Sequence, residues 1–436
     1  MALETAGVPT VAVHTHVFAR LARSVALAAG MPTARQAFVP QPIVDRSAAQ
    51  LRAYIEGDDP VSKRGFMQEV ISGLSTPLDE QDLKGVTFER TTPRLLEPDT
   101  EAALTERFQS NHWTDHLPIV LPTEERVLAM LEGTSHAPDE VVGKLRPTFF
   151  REFWEFTVEK VAVNAVMAGA KPEYLPVILA LLASGQTARS SSTNSFATFA
   201  AVNGPIRKQI GMSDGVGALG PYNHANATIG RAYSLASINL QGGSVPGDTY
   251  MGTLGNWYNY SAVFAEAEER SPWTPFHVQH GFGADQSVAS VFFGAWYTIA
   301  GYGPRETWQQ KFEHAFAAAE PYLPPIIVMD PIVARGFVEL GYDTKEKLVE
   351  WCAQNCRVSA REYWDNPWTQ TLFHPLAVAG VEPYAARLEA DPAELIEAYT
   401  KDEIKIIVAG GETQGAWKMF GGLHRPGGSV SIDAWR

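Results

Sequence analysis

The histidines are the residues of this sequence whose types and spacing point most directly to chemistry. His112 and His116 lie four apart in NHWTDHLP, His277 and His280 lie three apart in PFHVQHGF, and His224 lies in NHAN. Neutral imidazole is the commonest transition-metal ligand, and this spacing lets two rings reach one ion on a helix. We therefore predict that all five bind Zn or Fe. The alternative is separate histidines that hydrogen-bond to the backbone of polar loops.

Two further histidines, His14 and His16, follow the β-branched run VPTVAVH. In α/β proteins, ligands bind at the carboxyl ends of parallel strands. This position predicts that both histidines are catalytic.

Polar side chains crowd a stretch rich in Gly, Ser, Asn and Thr between residues 185 and 283. A loop-rich stretch of that length inside a compact protein is usually functional. We predict four substrate contacts in it: Asn194, Asn203, Asn226 and Arg231. Glu266 or Glu269 is the predicted acid or base, with His277 as a further catalytic residue. Internal ion pairs are the competing interpretation for the arginine and the carboxylates.

Two other motifs carry weaker signals. The GGETQG segment after IKIIVA could bring backbone N–H groups to an anion at a helix start, but a tight turn is the more common role of such glycines. Cys352 and Cys356 share one face of a predicted helix, and we interpret them as buried, unreactive thiols.

The elements that must position these residues follow from the hydrophobic pattern. A strand over 8–14, a helix over 17–29 and a strand over 36–44 predict a βαβ unit with a parallel sheet. Thr123 is a predicted N-cap, and residues 151–184 predict two helices broken at Lys171-Pro172.

The last third of the chain returns to α/β patterning. Strands at 326–329 and 404–409 each predict a strand-to-helix junction, the first with Asp330 as N-cap. The predicted fold class is therefore α/β. It has a small, incomplete flavodoxin- or Rossmann-like N-terminal unit, a helical and loop-rich middle domain, and an α/β C-terminal part.

Length and composition bound the rest. A chain of 436 residues predicts two or three domains, which we place at 1–85, 86–285 and 286–436. The formal net charge is −14 without a Lys/Arg run, which argues against nucleic acid and anionic membranes as partners. Two cysteines, no signal-like N-terminus and no long apolar run predict a cytoplasmic protein.

Several strings in order carry a family resemblance: EKVAVNAVMAGAKPEYLPVILA, STNSFATFAAVNGPIRKQIGM, NATIGRA and TLGNWYNYSAVFAEAEERSPWTPFHV. They resemble the UGSC family, named for a Sec-Gly-Ser-Cys tetrapeptide that is Cys-Gly-Ser-Cys in many members. The resemblance covers residues 110–285 closely and 7–80 more loosely. Residue types depart from it at histidines, since the family's versions of two segments look like NGWTDGLP and HVERGF.

The tetrapeptide of that family precedes a segment similar to residues 3–32, and this chain opens almost directly on the corresponding strand. The resemblance therefore implies a split protein, in which a small partner subunit supplies the missing βα half and a Cys/Sec-Gly-Ser-Cys motif. The partner's thiol or selenol would lie near His14 and His16, which could activate it.

Three functions remain open from the sequence. The preferred one is the large subunit of a hetero-oligomeric enzyme that acts on a small polar molecule with the partner's thiol or selenol. The second is a Zn or Fe enzyme of the hydratase, hydrolase or lyase type. The third is a non-enzymatic scaffold or binding subunit.

Overall fold

A computed structural model describes residues 2–28, 31, 33–43, 46–77, 93–145, 154–189, 195–241, 246, 250, 252–260 and 262–436. Asn194, one of the predicted substrate contacts, lies outside the described residues. The predicted domain boundaries were residues 85 and 285. By its internal contacts, the chain divides into two compact units. The first comprises residues 1–117, 144–155 and 237–251, and the second comprises 118–143, 156–236 and 252–436.

Thirteen strands are assigned in the described residues. They are β1 (Ala12–Thr15), β2 (Gln36–Val39), β3 (Val141–Leu145), β4 (Trp154–Thr157), β5 (Ala197–Asn203), β6 (Val263–Ala265), β7 (Val288–Tyr302), β8 (Pro325–Met329), β9 (Arg357–Ser359), β10 (Leu395–Glu397), β11 (Lys405–Val408), β12 (Ala416–Leu423) and β13 (Ser429–Ser431).

The α-helices of the same residues fall into two runs. The first run is α1 (Ala2–Thr5), α2 (Ala19–Ala28), α3 (Ala48–Glu56), α4 (Phe66–Ser75), α5 (Glu101–Ser110), α6 (Glu124–Leu131), α7 (Val158–Met167), α8 (Leu175–Ala183), α9 (Ile206–Gln209) and α10 (His224–Gln241). The second is α11 (Phe276–Gln279), α12 (Trp308–Ala317), α13 (Pro331–Glu339), α14 (Lys345–Asn355), α15 (Ala360–Asp365), α16 (Pro367–Leu372), α17 (His374–Val378) and α18 (Tyr384–Glu389).

The first unit contains the predicted βαβ arrangement. β1 and β2 are parallel, with Ala12 opposite Gln36 and His14 opposite Phe38, and α2 connects them. A 3₁₀ turn over His16–Phe18 leads directly from β1 into α2. Two parallel strands need a crossover of this kind, because a tight hairpin turn can join antiparallel strands only.

The second unit is built on one mixed sheet in the order β11-β8-β12-β7-β5-β6, with β13 added beside β7. The pairs β8/β11 and β5/β6 are parallel, and β12 and β7 run antiparallel to their neighbours. The parallel strand β8 reads PIIVM and is buried at every residue, as expected for a strand covered on both faces.

The two faces of this sheet form two separate cores because side chains alternate along each strand. Phe199, Phe264, Phe292, Val328 and Phe420, from five different strands, pack together on one face. On the other face, alternate residues of β8, β11 and β12 pack against α12, α13 and α14. The strands contribute Met329, Val408 and Trp417, and the helices contribute Phe312 and Phe337.

The sheet curls until its two outermost strands approach each other. Just after β6, the backbone N–H of Ala267 donates to the carbonyl of Val408, the last residue of β11, at 2.7 Å. The face that carries the phenylalanines therefore becomes a concave interior. Closure of this kind leaves fewer strand edges exposed than an open sheet does.

The structure confirms the α/β class and most of the predicted local signals. Thr123 caps α6 by accepting from Arg126 N, and Asp330 caps α13 by accepting from Ile332 N with Pro331 at the first helical position. Helices α7 and α8 end and begin on either side of Lys171-Pro172, but the helix predicted from residue 151 starts only at Val158, because Trp154–Thr157 forms β4.

One predicted junction was wrong. The segment over 410–415 does not start a helix, because strand β12 begins at Ala416 and returns antiparallel to β8. The glycines serve a strand-to-strand loop instead. None of the described helices is long and apolar enough to cross a bilayer. Cys352 and Cys356 are buried free thiols, and burial raises the pKa of Cys352, as expected for unreactive cysteines.

Candidate functional site

His14 lies in β1 of the first unit, half-buried beside Phe38, with the two ring centroids 6.1 Å apart. Among the described residues, neither of its ring nitrogens has a hydrogen-bond partner. Burial lowers the pKa of His14 below its ordinary value, so the imidazole is mostly neutral at pH 7. A neutral imidazole accepts a proton, so the geometry fits a general base. His16 begins the following 3₁₀ turn and is exposed.

A cavity of about 370 Å³ opens beside His14. Its apolar wall comes from α2 and the preceding turn, through Phe18, Leu21 and Ala26, and its polar wall includes Thr10 and Gln36. The N–H and hydroxyl of Thr10 both donate to the carboxylate of Glu4, at 2.6 and 2.9 Å. The cavity therefore presents His14 at the side of a mainly apolar groove.

In the second unit, Glu266 is the centre of a buried polar network. Its side chain is fully buried and accepts from Asn203 Nδ2 at 2.6 Å, from Phe276 N at 2.7 Å and from Lys345 Nζ at 2.9 Å. Lys345 is itself buried. A buried carboxylate needs such compensation, since an unpaired charge in the interior is strongly unfavourable. The prediction of Glu266 as an acid or base stays untested, and its contacts are internal.

Arg207 extends this network toward the surface. Its guanidinium is buried and lies 2.8 Å from Glu268 Oε2, 3.1 Å from Glu269 Oε1 and 3.5 Å from Asp214 Oδ2. Burial opposes ionisation of Glu269, but hydrogen bonds from Lys208 and Arg207 lower the pKa of Glu269 to about 2. A carboxylate that stays ionised at neutral pH is poorly suited to donate a proton.

His277 borders the same network and is fully buried. Its Nδ1 is 3.9 Å from Glu268 Oε1, too far for a hydrogen bond, and both ring nitrogens lack a partner within the part of the chain that is described. The Oδ1 atom of Asn203 also lacks one. Buried polar atoms of this kind are usually satisfied by water or a small ligand. The structure thus brings together four predicted site residues: Asn203, Glu266, Glu269 and His277.

Asn226 holds a loop in place. It is fully buried, accepts from Ser213 N at 3.1 Å and donates to the carbonyls of Ser213 and Ala218 at 2.8 and 3.2 Å. Arg231 donates to the carbonyl of Pro118 at 2.8 Å, and His224 begins α10 with its ring centroid 5.8 Å from that of Tyr174. Their predicted roles in substrate or metal binding stay predictions.

His112 and His116 share an unusual backbone conformation in the first unit. Their φ values are 56° and 64°, in the left-handed region that favours glycine, and their ring centroids are 6.0 Å apart. Glycine adopts this backbone conformation without strain, whereas an L side chain is strained in it. Both side chains are exposed.

The predicted metal ligands are distributed over both units, because His112 and His116 belong to the first and His224, His277 and His280 to the second. His280 stacks on Phe276 and uses Nδ1 to bond the carbonyl of that residue at 2.8 Å. Within the described ranges, no group of three or more His, Cys, Asp or Glu side chains is placed to hold a metal ion. Binding of Zn or Fe therefore stays a prediction without a ligand cluster to support it.

Sequence reasoning missed the cations of the buried network. Arg207 had a local signal, because it lies four residues after Asn203 in the string NGPIRK. Lys345 had none, since its carboxylate partner is 79 residues away in the chain. Long-range ion pairs leave no periodic pattern in a sequence.

These contacts define a parallel α/β unit with a neutral histidine in its first strand and, separately, a second unit built on a curled mixed sheet. Residues 1–58, which include β1, α2, β2 and α3, match the model of the UGSC family. The match confirms the family resemblance for that part of the chain. No curated protein matches the chain significantly.

We expect Lys345→Met to lower the free energy of unfolding by about 3–5 kcal/mol, because Glu266 would remain buried without its cation. Lys347→Met is the matched control on the same helix. Its partner Asp343 is exposed, so the loss should stay below about 1 kcal/mol. Thermal unfolding measures both, and adding Glu266→Gln to Lys345→Met should restore part of the loss. Equal effects of the two lysine substitutions would contradict the buried pair.

The left-handed backbone conformation of His112 and His116 gives a second prediction. His112→Gly and His116→Gly should each be more stable than the corresponding alanine variants by about 1 kcal/mol, because L side chains are strained at positive φ. At Glu106, an exposed position of α5, the order should reverse because alanine favours a helix. Thermal unfolding of the six variants checks this, and alanine equal to or better than glycine at 112 and 116 would refute it.

Proposed function

We propose that this chain is the large subunit of a hetero-oligomeric enzyme that acts on a small polar molecule. In this proposal a small partner subunit with a Cys/Sec-Gly-Ser-Cys motif supplies a thiol or selenol for redox or nucleophilic chemistry. The proposal rests on the outer edge of β1, the strand that contains His14, because this edge is unpaired in the described residues. The family match over residues 1–58 supports it, because this segment contains β1.

The outer edge of β1 is suited to accept another strand. In the described residues β1 pairs with β2 alone. The N–H of Ala12 donates to the carbonyl of Arg35 on the β2 side, so by alternation the N–H and C=O of Val13 point outward. Parallel strands are almost always covered, and an exposed edge is a template for pairing. Half of the Val13 side chain is also exposed, at 52%.

His14 gives the docked partner a chemical role. A thiol held at its ring would transfer the S–H proton to an imidazole nitrogen and leave a thiolate next to an imidazolium. This requires a histidine that is neutral before the reaction, which agrees with the lowered pKa. His16 is one residue beyond the strand and exposed, so it is the second candidate for this proton transfer.

Blocking the edge should prevent assembly. We expect Val13→Pro to weaken binding of a co-expressed small Cys-Gly-Ser-Cys protein at least about tenfold, since proline removes the outward N–H and leaves the bonds to β2 in place. Val13→Thr keeps the N–H and the β preference, so its affinity should stay within about twofold. Light scattering after size exclusion and a binding titration measure this. Equal binding by the two variants, or full activity of this chain alone, would rule out the proposed docking.

The base role of His14 makes a separate prediction. In the complex, His14→Gln should slow alkylation of the partner's cysteine by iodoacetamide at pH 7 at least about tenfold. It should also move the rise of the alkylation rate to higher pH, because the thiol loses its proton acceptor. His314→Gln, an exposed substitution on α12, is the control and should change neither. An unchanged profile in His14→Gln with the complex intact would exclude His14 as the base and leave the docking proposal standing.

A further inference from the structure

We propose that the second unit contains a binding site for a small organic monocarboxylate with an apolar or aromatic body. The site is a cavity of about 480 Å³ at the carboxyl ends of the parallel strands β8 and β11. Pockets of this size commonly hold small molecules, and the carboxyl ends of parallel strands are where α/β proteins bind ligands. The inference does not depend on the proposed partner subunit, because every residue of the cavity belongs to the second unit.

Two neighbouring glycine-containing loops form part of the cavity wall. One runs from Gly215 to Tyr222, and the other runs from Gly410 to Gln414 between β11 and β12. Gly411 packs so closely on Val216 that a Cβ atom at this glycine would clash with the valine. The remaining walls come from the strands and include Tyr302, Val328 and Lys418.

Lys418 provides the positive charge. It lies on β12 between Val328 of β8 and Ala300 of β7, and alternation places it on the same concave face as Phe420. Its ammonium has no hydrogen-bond or ion-pair partner in the described residues. The side chain of Lys418 is exposed at the cavity wall. Its position in the cavity wall makes an anionic ligand the natural partner.

Backbone donors of the 410–415 loop add to this charge. The N–H groups of Gly411, Thr413 and Gln414 donate to no acceptor within the described part of the chain, and all three residues line the cavity. The backbone changes hand along this loop, because Gly410, Glu412 and Gly415 have positive φ values and the residues between them do not. Backbones of alternating hand turn successive N–H groups into one concavity that binds anions.

Ion pairs fix both loops before any ligand binds. Arg270 donates to the carbonyls of Gly410 and Asp214, at 2.8 and 2.9 Å, and so joins one loop to the start of the other. It also pairs with the carboxylates of Asp214 and Glu412, at 2.7 and 3.0 Å. Hydrogen bonds from Arg335 and Arg270 keep the pKa of Glu412 below its usual range. A preformed site of this kind binds without a large ordering cost.

The charge balance selects a monoanion. Asp330 is the acidic residue that lines the cavity, and its two oxygens accept backbone N–H groups from Ile332 and Glu412, at 2.8 and 2.6 Å. The cavity lining therefore carries one ammonium and one carboxylate that is already hydrogen-bonded, which favours a singly charged ligand over a phosphate dianion. Leu219, Val328 and the ring of Tyr302 would contact the uncharged body of that ligand.

Benzoate is the test ligand, with benzamide as its neutral isostere and inorganic phosphate as the competing anion. Ligand-observed saturation-transfer NMR on the full chain should detect benzoate binding at millimolar concentration, at least about tenfold tighter than benzamide. Phosphate is tested as a competitor of the benzoate signal and should displace benzoate only at a concentration at least about tenfold higher. Lys418→Met should lower the benzoate affinity at least about tenfold. Lys311→Met, an exposed substitution on α12 outside the cavity, should leave it unchanged. Thermal unfolding confirms that both variants are folded.

Four results would overturn the inference. Equal binding of benzoate and benzamide would show that the charge is not recognised. Unchanged benzoate affinity in folded Lys418→Met would place the binding elsewhere. Tighter binding of phosphate than of benzoate would exclude a monocarboxylate site. Absence of binding by either anion at 10 mM would also exclude it, because the binding free energy would then be weaker than about 3 kcal/mol.

Discussion

The carboxylate of Glu266 joins the parts of the second unit that must meet for its sheet to close. It accepts from Asn203 at the end of β5, from Phe276 N at the start of α11 and from Lys345 on α14. Its own residue follows β6, and the next residue, Ala267, bonds to Val408 at the end of β11. One buried charge therefore anchors the closure between the two outermost strands. Removing its cation would leave that closure next to an uncompensated carboxylate.

The same network holds the loops around the proposed carboxylate site. Arg207 and Arg270 extend it from the closure to the loop that begins at Asp214, and Arg270 continues to Gly410. Polar residues that the sequence suggested as substrate contacts, such as Asn203 and Asn226, make hydrogen bonds inside the protein in this arrangement. Their contacts position the loops, and the cavity wall itself comes from Lys418 and from backbone N–H groups.

The sequence predicts structure that depends on neighbouring residues, but it does not predict contacts between residues far apart in the chain. The βαβ unit, the Asp330 cap and the break at Lys171-Pro172 were predictable because each depends on neighbouring residues. The turn back into β12 was mistaken for a helix start, because glycines after a strand fit both outcomes. Lys418 and Lys345 carry no local signal, since each acquires its role from strands or loops far away in the chain.

His112 and His116 raise a different physical question. Exposed side chains at positive φ gain little from packing, and each costs about 1–2 kcal/mol relative to an unstrained backbone. Glycine avoids that cost. Strain of this type persists where the surrounding structure fixes the backbone. Here the N–H of His112 donates to the carbonyl of Gln109 and the N–H of His116 donates to the hydroxyl of Thr114, so the loop itself holds both residues in the left-handed region.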